Sequence, residues 1–223
     1  MAHIITRIER PPQNIIEQFR ELGTATIHEA SGRKGYVDCA IKPIAKDVRV
    51  CGPAFTVDCH PRDNLMLHKA LEKTQPGDVI VASVGGFHEA GYFGGLMATS
   101  ATARKLGGLA IDGCIRDSEE IIKMGFPIFS RGFCILGTGK TGPGTVNHPI
   151  LFGGCVVNPG DLIVGDADGM VVVARSECET VLKKSIDRVE MEKRKSGQLA
   201  AGISSVEFNK LGKNFEFLGL TED

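Results

Sequence analysis

The stretch YFGGLMATSATARKLGGLAIDGCIRDSEEIIKMGFP, residues 92–127, decides how the chain is built. Gly94-Gly95 opens the run LMATSATARKL and Gly107-Gly108 stops it, the punctuation of a helix. LAID at 109–112 is a short buried-type strand that ends at Gly113. Asp117 then heads a second short helix carrying Ile121, Ile122 and Met124. Gly125 closes it, and the chain returns as strand over 127–130. Helix-then-strand units in succession predict an α/β domain, a sheet covered by helices.

Working outward, Ile15, Ile16, Phe19 and Leu22 follow Pro11-Pro12 at the spacing of an amphipathic helix that Gly23 ends. Thr24 starts a short second helix through Ala30, before the loop SGRKG at 31–35. Strand is expected over 48–57, helix over 63–73, and Pro76-Gly77-Asp78 turns the chain into the apolar strand VIVAS. Beyond residue 132, Gly- and Pro-rich segments separate short β runs at CILG, GCVVN, DLIVG and GMVVVA, and a charged helix is expected over 176–195. A β-rich portion packed on the α/β unit suits this half better than a regular doubly wound sheet. One domain over 1–223 is expected, with a core over about 12–200 and a tail over 201–223 that carries no pattern.

A chain of 223 residues, 42% hydrophobic, can bury a sizeable core without disulfides or metal staples. Its formal net charge of -1, with acids and bases interspersed, provides no electrostatic footprint for duplex nucleic acid or an anionic membrane. The seven cysteines form an odd set without a CxxC pair, which argues for reduced, mostly buried thiols. MAHIITRIERPP lacks an apolar h-region, and no apolar run is long enough to span a bilayer, so a cytoplasmic location is expected.

Several motifs fail on context. GTGKTG at 137–142 satisfies GxGxxG, with Asp161 about where a ribose-binding acid would stand. Pro143, Gly144 and Pro149 forbid the helix that would hold a pyrophosphate, so a glycine-rich surface loop is preferred. HEASG at 28–32 and HEAGY at 88–92 lack the second histidine of a zinc helix; His28 and His88 read as ordinary hydrogen-bonding residues, His88-Glu89 being also a candidate substrate contact. Cys114 and Cys134 lie in apolar runs with no adjacent His, so buried structural thiols are favoured over nucleophiles.

The 92–127 stretch carries the chemistry. Gly94-Gly95 exposes backbone N–H groups at a helix start, a cradle for a carboxylate or phosphate. Arg116-Asp117 follows a strand end; Arg offers a fork for a carboxylate and Asp a hard oxygen for a divalent cation. Two readings stay open on these residues alone: a site for a small acidic keto compound, or a helix-terminal Asp beside a solvated Arg.

Gly95, twenty residues, Arg116-Asp117, two residues and the acid Glu120 resemble the signature of the 4-hydroxy-4-methyl-2-oxoglutarate / 4-carboxy-4-hydroxy-2-oxoadipate aldolases. These are class II pyruvate aldolases related to regulator of ribonuclease activity A. RIERPP near the start, ATIHEASGRKG at 25–35, DNLMLHKALE at 63–72, PGD at 76 and 159, and DADGMVVV at 166–173 are similar to the same aldolases, so the likeness runs to about residue 200. It implies a layered α-β-β swivelling-domain fold, a homotrimer or homohexamer with sites between subunits, and Mg²⁺ or Mn²⁺ as cofactor. Asp117 would be the direct metal ligand, and Glu192, with Glu190 as rival, an acid reaching a neighbouring subunit's metal waters; Glu120 is a further candidate there. Arg116 would bind the pyruvyl group and stabilise its enolate, while the N–H groups from Gly95 through Leu96 to Met97 hold its carboxylate. Asp112 receives no role.

The implied reaction is retro-aldol cleavage of a 4-hydroxy-2-oxo diacid to pyruvate plus pyruvate or oxaloacetate, with oxaloacetate decarboxylation alongside. One residue departs from the pattern: the aldolases most like this sequence carry an acid where Gly95 stands. Such a carboxylate is a reasonable base for the C4 hydroxyl. Its loss should spare decarboxylation, which has no hydroxyl to deprotonate, so a mainly decarboxylating enzyme is the alternative. A non-catalytic ribonuclease regulator is a third reading, disfavoured by retention of Arg116, Asp117 and Glu120.

Overall fold

The computed structural model describes residues 2–221. Along it come β1 (His3–Ile4), α1 (Gln13–Arg20), α2 (Thr24–Ala30), β2 (Lys42–Pro43), β3 (Val50–Asp58), α3 (Leu65–Lys73), β4 (Val79–Ser83), α4 (Gly95–Ala103) and β5 (Gly108–Ile111). Then follow β6 (Cys114–Ile115), α5 (Ser118–Met124), β7 (Ile128–Ser130), β8 (Gly132–Phe133), β9 (Thr145–Val146), β10 (Ile150–Phe152), β11 (Cys155–Val157), β12 (Leu162–Gly165) and β13 (Met170–Val173). The long α6 (Cys178–Ala200) and the short α7 (Ser205–Phe208) and α8 (Gly212–Phe217) end the described chain.

The centre of the main sheet is β3-β4-β5-β7, all parallel, each connection carrying one of α3, α4 and α5. The glycine-bounded runs fold this way because Gly125 takes the left-handed conformation (φ 73°) that ends α5, its N–H donating to the carbonyls of Ile121 and Ile122. β3 has two kinds of neighbour: residues 54–58 pair with β4, whereas residues 50–53 pair antiparallel with β12, which pairs with β13. That switch lets the β-rich second half grow from the same sheet.

Side chains alternate along the central strands, so both faces are apolar. Phe55, Val57, Ile80, Ala82, Leu109 and Ile111 pack against α3, α4 and α5 through Leu67, Ala70, Met97, Ala98 and Ile121. Val79, Val81, Ala110 and Phe129 face the other way, onto Ile150, Phe152, Val157, Ile163 and Val172. A third cluster joins Ile16, Phe19 and Ile27 of α1 and α2 to β12, β13 and the start of α6. The layers therefore run helix, sheet, β-layer, helix.

Three expectations are corrected. CILG at 134–137 is not strand: the strand is β8 just before it, and Ile135 is 95% exposed, so nothing opposes that run. The charged helix extends to Ala200, and the tail holds two short helices, with Phe217 at the end of α8 and Leu218 just after it exposed. Cys51, Cys59 and Cys178 are buried thiols, but Cys39 is exposed and Cys114 and Cys134 are only partly covered. No helix among the described residues is long and apolar enough to cross a membrane.

Candidate active site

The site forms in the loops that follow the C-terminal ends of β4 and β5, where parallel sheets present ligands to helix starts. Gly94 is extended and α4 begins at Gly95. A Cβ on Gly94 would sit 2.6 Å from Asp117 Oδ2, and one on Gly95 would sit 2.7 Å from the Glu120 Cδ, so the bare backbone of the two glycines lets both carboxylates approach the start of α4. Asp117 stands at the N-terminal cap position of α5 in left-handed conformation (φ 58°), yet its side chain makes no cap bond. Instead Gly95 N–H donates to Asp117 Oδ2 at 3.0 Å. A non-glycine residue held there costs on the order of 1 kcal/mol, and here it aims the carboxylate across to α4. Asp117 thus stands at a helix start, as both sequence readings had it, with its carboxylate turned to α4 rather than to its own helix.

Arg116 lies beside it, Nε 3.6 Å from Asp117 Oδ2, both side chains about half exposed. Its backbone N–H donates to Phe93 O, which ties the pair to the loop before α4. Of the three predicted cradle donors, Gly95 N–H is occupied by Asp117 and Met97 N–H donates to Gly94 O. Leu96 N–H has no acceptor among the described residues, and the Leu96 side chain is 88% exposed.

Arg116 and Asp117 border a cleft of about 240 Å³ whose other walls are Asn64, His68, Gly137, Thr138 and Lys140. The sequence motifs that contain these residues gave them no place at the site. Buried Asp63 brings them together: its Oδ2 accepts the N–H groups of Thr141 (2.7 Å) and Gly142 (2.8 Å), and its Oδ1 that of Leu65 at the start of α3. Burial pushes the Asp63 carboxyl up, but the three backbone donors outweigh it and hold the group below its ordinary value. GTGKTG is thus a loop folded on a carboxylate, as the sequence preferred, and it also forms one wall of the cleft. Burial, reinforced by the Lys140 charge, lowers the His68 pKa.

Other candidates lie elsewhere. His88 turns its Nδ1 to Asp112 O at 2.6 Å and does not line the cleft. The Asp112 carboxylate is paired with Arg131, which also reaches Asp38 at 3.0 Å, so Asp112 anchors the strand end that delivers Arg116. Glu192 is on α6, bonded to Arg188 at 2.8 Å, and within this chain it does not meet Asp117; Glu190 is exposed on the same helix. Glu120 lies against Gly95 and lines a cavity with Asp117. Cys134 borders a further cavity beside Arg116 and Phe133.

A family model described as RraA-like, Aldolase/RraA, matches residues 24–172, which include every cleft residue. The chain belongs to the RraA-like family. A protein of Halalkalibacterium halodurans, named as a candidate 4-hydroxy-4-methyl-2-oxoglutarate aldolase, is 40% identical over 172 residues, 77% of this chain and 82% of that one. The crystal structure of Streptomyces coelicolor RraAS2, titled an unusual member of the RNase ES inhibitor RraA protein family, superposes with a TM-score of 0.78 at 26% identity. It covers 85% of this chain and 99% of the other. The RNA-processing inhibitor RraA from Thermus thermophilis superposes at 0.63 with 25% identity, over 69% and 93% of the two chains. The layered α/β architecture of this chain is therefore that of the RraA-like proteins.

A divalent cation is compatible with this member of the RraA-like family on the chemistry of its donors. Asp117 offers a half-exposed hard oxygen at the cleft, with the Glu120 carboxylate close to Gly95. Among the described residues no group of three or more His, Cys, Asp or Glu side chains could surround an ion. A cation on Asp117 would therefore keep most of its positions for water and substrate, as Mg²⁺ tolerates.

Proposed function

We propose that this chain is a divalent-metal-dependent carbon-carbon lyase that releases pyruvate from 2-keto diacids. Its substrates would be oxaloacetate and 4-hydroxy-2-oxo diacids such as 4-hydroxy-4-methyl-2-oxoglutarate and 4-carboxy-4-hydroxy-2-oxoadipate. The observation that carries the reading is the placement of Arg116 and Asp117 against the open start of α4, in a family with relatives named as aldolases.

Asp117 would hold Mg²⁺ or Mn²⁺, which supplies Lewis acidity toward the 2-keto oxygen. The free N–H of Leu96 is the donor available to the carboxylate at C1, and Arg116 provides a preorganised positive charge where negative charge grows on C2–O. In retro-aldol cleavage a base takes the proton of the C4 hydroxyl. The C3–C4 bond then breaks, its electron pair becomes the enolate of pyruvate, and C3 is finally protonated. In decarboxylation the bond to the departing carboxylate breaks instead, and no hydroxyl proton has to be removed.

Gly95 cannot be that base. The Glu120 carboxylate, however, occupies the space into which a side chain at 95 would project. Glu120, which lines a neighbouring cavity with Asp117, would be a weaker substitute for that base, so oxaloacetate decarboxylation is the less demanding of the two activities. Glu192 and Glu190, outside the cleft of their own chain, suit a role toward a second copy in a homotrimer or homohexamer.

The test is pyruvate release, coupled to NADH oxidation by lactate dehydrogenase, from oxaloacetate and from 4-hydroxy-4-methyl-2-oxoglutarate, with Mg²⁺, Mn²⁺ or EDTA. Metal-dependent turnover lost in Asp117→Ala supports the lyase, and oxaloacetate turnover alone would mark a decarboxylase. Folded, metal-supplied protein that turns over neither substrate refutes the proposal. Solved neighbours titled as ribonuclease or RNA-processing inhibitors favour a second reading, a regulator. Capture of ribonuclease that persists in EDTA would support it.

A further inference from the structure

A cavity of about 400 Å³ lies at the N-terminal ends of β4 and β5, at the opposite edge of the sheet from the Arg116–Asp117 cleft, and its charged side chains are Arg20, Arg49 and Lys105. We propose that it is a second binding site, for a compact organic anion of two or more negative charges, a phosphomonoester or a polycarboxylate. The reaction proposed above makes no use of this cavity, and the inference does not rest on the lyase reading.

Its charge is uncompensated. Among the described residues none of the three cations pairs with a carboxylate. Arg20 donates to Cys51 O at 3.5 Å and Arg49 to Leu22 O at 2.7 Å, which leaves each guanidinium further N–H groups to give. Two neighbouring acids are engaged elsewhere. Asp166, whose carboxyl feels the Arg49 charge, accepts the Thr24 N–H, the Thr24 hydroxyl and the Asp168 N–H. Asp78 takes Arg10 and the Gln75 N–H. Three like charges around one recess repel one another and concentrate anions there.

Lys105 holds its place against local preference. Just past the end of α4 its N–H donates to Thr102 O and Leu106 N–H donates to Ala101 O, a helix ending whose left-handed residue is usually glycine. Lys105 takes φ 58° there, although Gly107-Gly108 stands two residues on. Gly77 N–H donates to Lys105 O and ties this turn to the approach to β4. Arg20, at the end of α1, also serves that helix's dipole, whereas Arg49 belongs to no helix. Beside the cations the lining includes Val50, Leu106 and Pro127, and the volume falls within the roughly 300–1,000 Å³ of small-molecule sites. The recess thus suits an anion with a carbon skeleton better than a bare inorganic ion.

Calorimetry with 3-phosphoglycerate and with citrate, without added metal, tests the site and separates the two ligand sources. At least one should bind the wild-type chain with a Kd below about 1 mM that rises with salt. Inorganic phosphate, which leaves the apolar lining uncovered, should bind more weakly than the better of the two. Lys105→Gly suits the left-handed turn, so it should melt within about 2 °C of the wild type or above it, and yet raise that Kd roughly tenfold. Arg49→Gln should weaken binding similarly, whereas Arg116→Gln, in the other cleft, should leave the Kd within about twofold. Binding of neither organic anion, an affinity that Lys105→Gly leaves unchanged, or one that Arg116→Gln abolishes overturns the site. Phosphate bound as tightly as both organic anions overturns the class of ligand.

Discussion

The Arg116–Asp117 cleft opens beyond the C-terminal ends of β4 and β5. A larger cavity, about 400 Å³, lies at the N-terminal ends of the same strands, between Gly77, Gly107, Pro127 and the cations Arg20, Arg49 and Lys105. The larger one holds no carboxylate. Its arginines donate to the carbonyls of Cys51 and Leu22 and thereby stitch α1 and the following turn to β3. Close by, Asp78 at the start of β4 is fully buried and paired with Arg10 through two short bonds. The smaller cleft has mixed charge, a helix start with a free N–H and a left-handed aspartate. Size does not separate the two; a carboxylate beside the cations does, and it stands where strands run into helix N-termini.

Substitutions at the two ends should divide accordingly. The largest effect expected is on Asp117→Ala, a loss of turnover of about a thousandfold or more with the melting temperature little changed. Normal turnover in that variant would collapse the distinction. Asp78→Ala should do the reverse, costing about 3 kcal/mol in denaturant unfolding, the low end for a broken buried pair because Arg10 stays partly exposed. Activity per folded molecule should be retained.

Gly95→Asp comes next. Glu120 can swing away because its carboxylate is the end of a flexible exposed side chain, so the protein should fold, and the aldolase-to-decarboxylase ratio should rise several-fold. An unchanged ratio would refute the missing-base argument and leave Glu120 as the base. Asp63→Asn gives a smaller, pH-dependent effect. The folded carboxyl lies below its unfolded value, so its contribution is full above the ordinary carboxylate range and fades as pH falls through the folded value. The variant should lose stability near neutrality and less in acid, read from melting temperatures across pH. Smallest of all, Arg49→Ala should leave kcat/KM within about twofold, which fails if the cationic cavity contributes to turnover.

The central strands and helices were legible because each is bounded by glycines and repeats a period of its own. Thus 109–112 and 118–124 appear almost where they were expected. CILG misled because an apolar run reports hydrophobicity without saying whether anything lies opposite, and Ile135 faces open space. Hairpin β10–β11 was half visible: GCVVN marked β11, but its partner Ile150–Phe152 is three residues long and follows Pro149.

Arg116, Asp117 and the start of α4 could be read from the sequence because they lie in one continuous segment, whose strand–loop–helix order forces loop residues to the same sheet edge. That alone determined the α/β class and one end of the cleft. Tertiary structure decided the rest. Asn64, His68 and Lys140 converge only because a buried aspartate collects backbone N–H groups from two distant segments, and no spacing encodes which carboxylate will do so. The placement of the Glu120 carboxylate against Gly95, and the turning of His88 and Glu192 away from the cleft, were likewise settled by packing, because side-chain direction depends on neighbours that the sequence order does not name.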